Sequence, residues 1–451
     1  MYDYLRLWAL LLIAFHLLAP YLPIEHVWGA GGFPTISLPL RLLLAAAAAP
    51  FLSPRVGEAV WQRAYCSWRA LRSRLSATAV FAIAGLLAVP VFWLGRLRHL
   101  RWGDAYIFAN AISHPEARLT YTWQAPFDVY LHAKAWALAN SLWGWDVQAV
   151  YALISCLAGG LFVFVVLSAA RGVCADAVSG ATLAGLTLTA GAMQLFFGYV
   201  ESYTVIPVGI ALFLWLGLRL LKGGEKLWPV AAVLAVTLGF SPSSLPLSLP
   251  LLYLAWVYRK QGFGPGRVAL ELGAPMLIVA AGIVALFTIG GHGLDTLVGA
   301  DAPGGGDHRW LVPLLHTGSR WEHYTMFSWA HLRDFLNEQA LVAPLALPVA
   351  LGGLVLYRRK LDRRDPALRF LALAGAAYLL LTFVWNPDYG GRRDWDLFAP
   401  AAVPLAALAA YMLSRDVSGR ERARSLALVV AVQIVHLAPW IWFNAQLWPW
   451  D

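Results

Sequence analysis

The sequence predicts an all-α, polytopic integral membrane protein, and three observations carry that prediction. Of its 451 residues 60% are hydrophobic and only 13% charged, with a mean hydropathy of +0.62; a soluble chain carries about 25% charged residues. Apolar runs near the ~20 residues that cross a bilayer as helix recur from one end to the other. The 22 tryptophans supply the aromatic anchors that gather at membrane–water interfaces.

About thirteen spans can be placed in order. The first, near 4–22, follows Met1-Tyr2-Asp3-Tyr4-Leu5-Arg6, which has neither a strongly basic leader nor a small-residue cleavage site after it, so it reads as a retained span. The second lies near 34–52 and is followed by a basic linker. A span near 76–95 opens into a long segment, 96–146, in which 127–145 with Trp136, Trp143 and Trp145 reads as an amphipathic helix along the interface. Spans near 147–168, 177–197 and 202–221 come next. The pair 228–240 and 244–257 is interrupted by Phe240-Ser241-Pro242-Ser243-Ser244-Leu245-Pro246, which makes it either two short spans or a re-entrant hairpin. Spans near 268–290, 342–357, 368–386, 398–414 and 425–443 complete the series.

Cation placement sets the orientation. Arg6 and the loops holding Arg55 to Arg74, Arg171, Arg219 to Lys226, Arg259 to Arg267, Arg358 to Arg369 and Arg415 to Arg424 all fall on one side and hold most of the 34 basic residues. By the positive-inside rule that side is cytoplasmic, with the first residues inside. The net charge of +9 is therefore a topological signal and not a nucleic-acid patch. Cys66, Cys156 and Cys174 fall in no outward loop, so no structural disulfide is expected. With no internal repeat and no low-complexity tail, the chain reads as a single integral domain, 1–451.

The outward segments hold the acids, histidines and aromatics, so chemistry is expected there. In Arg101-Trp102-Gly103-Asp104-Ala105-Tyr106, just past the third span, Asp104 reads either as a general base, its acidity tuned by nearby lipid, or as a helix cap. Asp128 follows in Gln124-Ala125-Pro126-Phe127-Asp128. Glu201, after Gly198-Tyr199-Val200 and at the edge of an apolar run, reads as a ligand for an acceptor, a partner for Arg392 or Arg393, or a helix N-terminal charge. The loop 291–341 carries Pro303-Gly304-Gly305-Gly306, consistent with a mobile lid, then Asp307-His308-Arg309-Trp310. Its histidine spacings match no metal motif, whereas Arg309 and Arg320 suit phosphate or sugar contacts. The last loop, Trp385-Asn386-Pro387-Asp388-Tyr389-Gly390-Gly391-Arg392-Arg393-Asp394-Trp395-Asp396, places two arginines where the orientation rule disfavours them. They read as an anion site for a lipid-linked phosphate, or as an internal knot with Asp388, Asp394 and Asp396. There is no phosphate-binding G-x-x-x-x-G-K-[ST] loop and no G-x-S-x-G elbow.

Together these features resemble the GT-C superfamily of membrane glycosyltransferases, which use polyprenyl-phosphate sugars and include the protein mannosyltransferase and lipid A aminoarabinose transferase families. The residues that carry the resemblance are Gly103-Asp104-Ala105 early in a large first outer loop, the interfacial helix after it, the Gly198-Tyr199-Val200-Glu201 turn, the broken short helix pair, and the late outer loop with Arg and Asp. The resemblance implies a GT-C-like core over 75–451, with 1–74 as two additional N-terminal spans and a basic cytoplasmic linker. It implies a hexosyl- or pentosyltransferase in a bacterial plasma membrane. Such an enzyme moves a sugar from a polyprenyl-phosphate donor to an outer-leaflet or extracytoplasmic glycan, lipid or protein acceptor, with inversion. Asp104 is then the general base, and Arg392, Arg393 and Arg309 hold the donor phosphate. Glu201, Asp128, Asp394, Asp396 and His308 bind or position substrate, and neither cofactor nor metal is expected. The rival readings are a lipid-linked glycan transporter or flippase and an enzyme of the O-antigen ligase or polymerase kind.

Overall fold

The computed structural model describes residues 1–114, 125–291, 309–359 and 361–447. His308 and the Pro303-Gly304-Gly305-Gly306 run expected as a lid lie outside the described residues. The principal helices, in chain order, are α1 (Tyr2–Leu18), α2 (Leu38–Ala48), α3 (Pro54–Arg72), α4 (Ala77–Leu94), α5 (Ala105–Ala111), α6 (Pro126–Trp143), α7 (Val147–Val173), α8 (Ala177–Leu188), α9 (Ile206–Leu221), α10 (Trp228–Phe240), α11 (Ser248–Lys260), α12 (Pro265–Ile289), α13 (Trp329–Val342), α14 (Ala346–Leu356), α15 (Pro366–Val384), α16 (Ala402–Asp416) and α17 (Gly419–Asn444). Among the described residues the nearest approach to a sheet is one isolated antiparallel bridge, Leu311 with Trp385.

Local chemistry explains where these helices begin and end. Pro54, Pro126, Pro265 and Pro366 occupy first-turn positions, where the missing N–H costs nothing. Asp146 caps α7 by accepting from Ala149 N at 2.7 Å, and Asp176 caps α8 by accepting from Ser179 N at 2.9 Å.

Among the described residues seven stretches are long and apolar enough to cross a membrane: Tyr2–Tyr21, α4, α7, α12, α15, Trp395–Arg415 and α17. Two bent pairs, α2 with α3 at 88° and α13 with α14 at 100°, raise the number to nine if each is one span. The count of about thirteen is thus not confirmed. Apolar runs taken as spans are cut short: the 177–197 run is α8 followed by a separate 3₁₀ turn, Gly191–Phe196, and α14 has only 11 residues. Prolines do much of the cutting. Pro344 sits at the 100° bend, Pro50 and Pro54 at the 88° bend, and Pro242 and Pro246 between α10 and α11. The basic linker after the second span is itself the helix α3.

The last two spans form the centre of the bundle. Trp395–Arg415 and α17 are 78% and 67% buried inside the protein, whereas α12 is 11% buried and lies at the periphery. Lipid offers no hydrophobic gain for helix association, so close packing and polar links have to supply it. α4 and α7 cross at Gly85, Gly159 and Gly160, where a Cβ at Gly160 would fall 2.8 Å from the Gly85 carbonyl oxygen. His16 Nε2 and His436 Nδ1, 2.8 Å apart, link α1 to α17, and His436 Nε2 donates to Leu341 O of α13 at 2.8 Å. Glu58 of α3 pairs with Arg424 at 2.9 Å and Arg420 at 3.0 Å. The N-terminal helices are thereby tied into the bundle.

α6 carries its polarity inward. Asp128 and His132 are fully buried, while Leu131, Leu138, Leu142 and Trp143 are 41–66% exposed. A helix on a water-covered surface shows the reverse pattern; an apolar outer stripe on an integral membrane protein faces lipid.

Candidate active site

The chain following α4 is stitched to three other parts of the molecule. Leu97 N donates to Phe197 O at 2.8 Å and Arg98 N to Asn444 O at 3.1 Å. Trp102 Nε1 donates to Asn444 Oδ1 at 2.7 Å, and the indole packs among Trp440 and Phe443 of α17. Gly103 N donates to Arg393 O at 2.9 Å. The end of α4, the turn before α9, the end of α17 and the loop after α15 therefore meet at one end of the bundle.

Asp104 is the pivot. It stands at the N-terminus of α5, yet its side chain accepts no hydrogen bond from that helix. The capping role open to it from sequence is not the one it takes. Its Oδ1 accepts from the Tyr389 hydroxyl at 3.0 Å, and its own N–H donates to Glu201 Oε1 at 2.5 Å. Burial pushes the Asp104 carboxyl up to about 6; the Tyr389 hydrogen bond and Arg393 oppose the rise, and Asp388 adds to it. Burial, with the neighbouring Asp104 carboxylate, likewise pushes the Tyr389 phenol upward, so its proton stays on and is donated.

Glu201 is only 2% exposed, and among the described residues it bonds no arginine. Its Oε1 takes the Asp104 amide and its Oε2 takes the Ser202 N–H at 2.9 Å. It fixes the backbone on which the Asp104 carboxyl is mounted. Gly103 makes room for this: its φ is +48°, and a Cβ there would fall 2.7 Å from Glu201 Oε1 and 3.0 Å from Asp396 Oδ2.

The loop after α15 closes on itself. Asp394 Oδ2 accepts from Tyr389 N at 2.7 Å, and Gly390 O accepts from Arg393 N and Asp394 N. Burial, then the adjacent Asp396, Asp104 and Asp388, push the Asp394 carboxyl well above the usual range. Asp396 is 1% exposed and its Oδ2 has no hydrogen-bond partner among the described residues. Arg393 is exposed and lies over the Tyr389 ring at 4.7 Å, while Arg392 is half-buried. Among the described residues neither guanidinium forms an ion pair, so the knot with Asp388, Asp394 and Asp396 is not what holds the loop. Burial, with Arg101 close by, lowers the Arg392 pKa, and Glu25 opposes this. Arg393 thus lies close to the Asp104 carboxyl, and Arg392, next to it in the chain, lies close to Arg101, a gathering of cations suited to an anion.

Other expected residues sit elsewhere. Arg309 Nη1 donates to Glu322 Oε1 at 2.9 Å, and Glu322 Oε2 collects the Gly318 and Ser319 amides. That is a staple within the 309–328 segment. The segment docks on the loop: Asn386 N donates to Trp310 O, His323 Nε2 lies 2.9 Å from Asp388 O, and Trp321 meets Tyr389 edge-on at 5.8 Å. Asp128 is fully buried beside His132 on α6.

Four contributors escaped the sequence reading. Tyr389 stood in the quoted loop as its lone phenol. Arg101 belongs to Arg96-Leu97-Arg98-His99-Leu100-Arg101, a run of arginines in a segment expected to face outward, as costly to the orientation rule there as Arg392 and Arg393, and the same signal was there to use. Asp334 and Glu338, one turn apart on α13, abut Gly391 from below, and only the α13 bend brings them there. Among the described residues no cluster of three or more His, Cys, Asp or Glu side chains is disposed to hold a metal ion.

No protein-family model and no curated protein matches the chain. Among solved structures it is similar to ArnT from Cupriavidus metallidurans bound to undecaprenyl phosphate, with a TM-score of 0.50 and 16% identity over 75% of this chain and 60% of that one. It is more distantly similar to the oligosaccharyltransferase AglB from Archaeoglobus fulgidus in complex with an inhibitory peptide and a dolichol-phosphate, with a TM-score of 0.45 and 15% identity over 83% of this chain and 56% of that one. The chain thus spans about three fifths of the length of the ArnT chain. At that identity the ArnT likeness shows the fold alone: the matched part of this chain is folded like the matched part of that one.

Proposed function

We propose that the protein is a glycosyltransferase that moves a hexose or pentose from a polyprenyl-phosphate donor to an extracytoplasmic or outer-leaflet acceptor, with inversion at the anomeric carbon. The observation that carries this reading is the Asp104 carboxyl held by the Tyr389 hydroxyl close to Arg393, with Arg392 and Arg101 close to each other in the same two segments. A base tuned near neutrality next to gathered cations is what attack on a lipid-linked phosphate sugar requires. ArnT, which has this fold, was solved bound to undecaprenyl phosphate, and that supports the choice of donor.

In this mechanism Asp104 takes the proton of an acceptor hydroxyl. The freed lone pair attacks the anomeric carbon from the face opposite the phosphate, and the carbon–oxygen bond to phosphate breaks with its electron pair going to the phosphate oxygen. Arg392 and Arg393, with Arg101 beside them, hold that charge. Tyr389 fixes Oδ1, leaving Oδ2 for the incoming proton, and Glu201 keeps the Asp104 backbone in place. Asp394 shapes the loop through the Tyr389 amide, and Asp396 backs Gly103. Arg309 acts at one remove by bracing the segment that supports Tyr389.

The protein is then a single integral domain of a bacterial plasma membrane with its basic loops cytoplasmic and its site outside. The test is transfer by purified protein from a panel of undecaprenyl-phosphate hexoses and pentoses. Transfer by the wild type and none by Asp104→Asn supports the reading; equal rates refute it.

A further inference from the structure

The helix that follows the second apolar run has three unlike sides. α3 stands at 88° to α2 and lies across the beginnings of two long spans. Gly57 packs on α17, where a Cβ would fall 3.3 Å from Arg424 Cα and from Ala427 Cβ, and Glu58 pairs with Arg424 and Arg420 of the same helix. Further along, the Trp68 indole stacks on Phe81 of α4 at 5.7 Å, with 5° between the planes. α4 and α17 start against α3 and finish at the candidate active site, where Arg98 N meets Asn444 O. α3 therefore runs across the far end of the bundle, level with the ends of spans.

Its other two sides are bare. Val60, Ala64 and Leu71 recur at helical spacing and form an exposed apolar row, with Val60 42% and Leu71 40% accessible. Arg55, Arg63 and Arg69 are exposed on the remaining surface. Glu58 is the one carboxylate in the helix, and α17 takes it. Among the described residues no carboxylate pairs with Arg55, Arg63 or Arg69. Water offers no reward for an apolar row beside unpaired cations. A helix lying in the plane of a membrane gains from both, since the row sinks into the acyl boundary and the cations are drawn to negative headgroups.

We propose that α3 is a docking surface for anionic phospholipid headgroups of the leaflet at that end of the bundle. Val60, Ala64 and Leu71 enter the acyl boundary, and Arg55, Arg63 and Arg69 stand among the phosphates. Charge complementarity selects the lipid: three cations without a protein partner favour a headgroup with net negative charge over a zwitterionic one, and a guanidinium forks onto phosphate oxygens. Because Glu58 and Trp68 fasten α3 to α17 and α4, a lipid held there braces the starts of both spans. The surface lies away from Asp104, so the outcome of the Asp104→Asn assay leaves it untouched.

The test compares melting temperatures in nanodiscs of phosphatidylcholine alone and of phosphatidylcholine with an equal part of phosphatidylglycerol. The wild type is expected to melt higher in the anionic discs, and added salt to reduce the gain. The triple variant Arg55→Gln, Arg63→Gln, Arg69→Gln is expected to match the wild type in phosphatidylcholine and to lose most of the gain. A second triple variant, Arg358→Gln, Arg359→Gln, Arg364→Gln, in another basic loop, is expected to keep it. The full gain in the α3 variant, or an equal loss in both variants, overturns the proposal. Should the α3 variant fail to fold, a fluorophore on Leu71→Cys, with Cys66→Ser and Cys174→Ser, decides. Quenching by doxyl-labelled phosphatidylcholine supports the lipid surface. Quenching by aqueous iodide overturns it, and so does shielding from both quenchers, which marks a protein partner.

Discussion

Replacing Tyr389 by phenylalanine is expected to move the acid limb of the pH–rate profile upward. Asp104 acts as a base only when ionised, so kcat/KM rises with pH through its pKa. Burial raises that pKa to about 6 even though the Tyr389 hydroxyl, at 3.0 Å from Oδ1, stabilises the ionised form. A hydrogen bond to a charged group is worth about 1.5–3 kcal/mol, and one pKa unit corresponds to about 1.4 kcal/mol. Loss of the hydroxyl therefore shifts the limb by roughly one to two units, toward about pH 7–8, and slows transfer at pH 6 by roughly 5- to 50-fold. Phenylalanine retains the edge-on contact with Trp321 and the place under Arg393, so the loop itself is expected to persist. The assay is kcat/KM for sugar transfer from pH 5 to 9 in both proteins. A limb that stays in place, or moves to lower pH, refutes the assignment of Tyr389 as the group that sets Asp104.

Arg392→Ala and Arg393→Ala are each expected to weaken binding of undecaprenyl phosphate by roughly 10- to 100-fold, the worth of one charge-assisted hydrogen bond; an unchanged calorimetric Kd removes that residue from the donor site. Gly103→Ala is expected to abolish transfer while donor binding survives, because the new Cβ meets Glu201 Oε1 at 2.7 Å and Asp396 Oδ2 at 3.0 Å. Wild-type kcat in that variant contradicts the packing argument. Reporter fusions at residues 300 and 362 are expected to report opposite sides of the membrane, and the same side for both overturns the orientation.

Much of this architecture was legible in the chain because hydropathy is a one-dimensional signal. The bends were written in Pro50, Pro54 and Pro344, but how far each turns its helix depends on what packs against it, and so the count of about thirteen spans is not confirmed. The site was legible in part. Asp104, Glu201, Arg392 and Arg393 stand out as polar residues beside apolar runs. Their division of labour does not, since the Glu201 link to the Asp104 amide joins residues almost a hundred positions apart, and the Tyr389–Asp104 bond joins residues nearly three times as distant. Asp128 looked like a substrate ligand because polarity alone cannot tell an inward stripe of α6 from an outward one. Arg309 looked free for phosphate because its partner Glu322 lies across a loop.

The account turns on Asp104 as the base of a polyprenyl-phosphate-dependent transfer, and one paired measurement addresses it directly. Wild-type protein and Asp104→Asn are compared for affinity toward undecaprenyl phosphate and for transfer from an undecaprenyl-phosphate sugar. The variant is expected to bind the lipid phosphate as tightly as the wild type or more so, having lost a neighbouring negative charge, and to transfer no sugar. Transfer at the wild-type rate by Asp104→Asn, or no binding of undecaprenyl phosphate by the wild type, contradicts it.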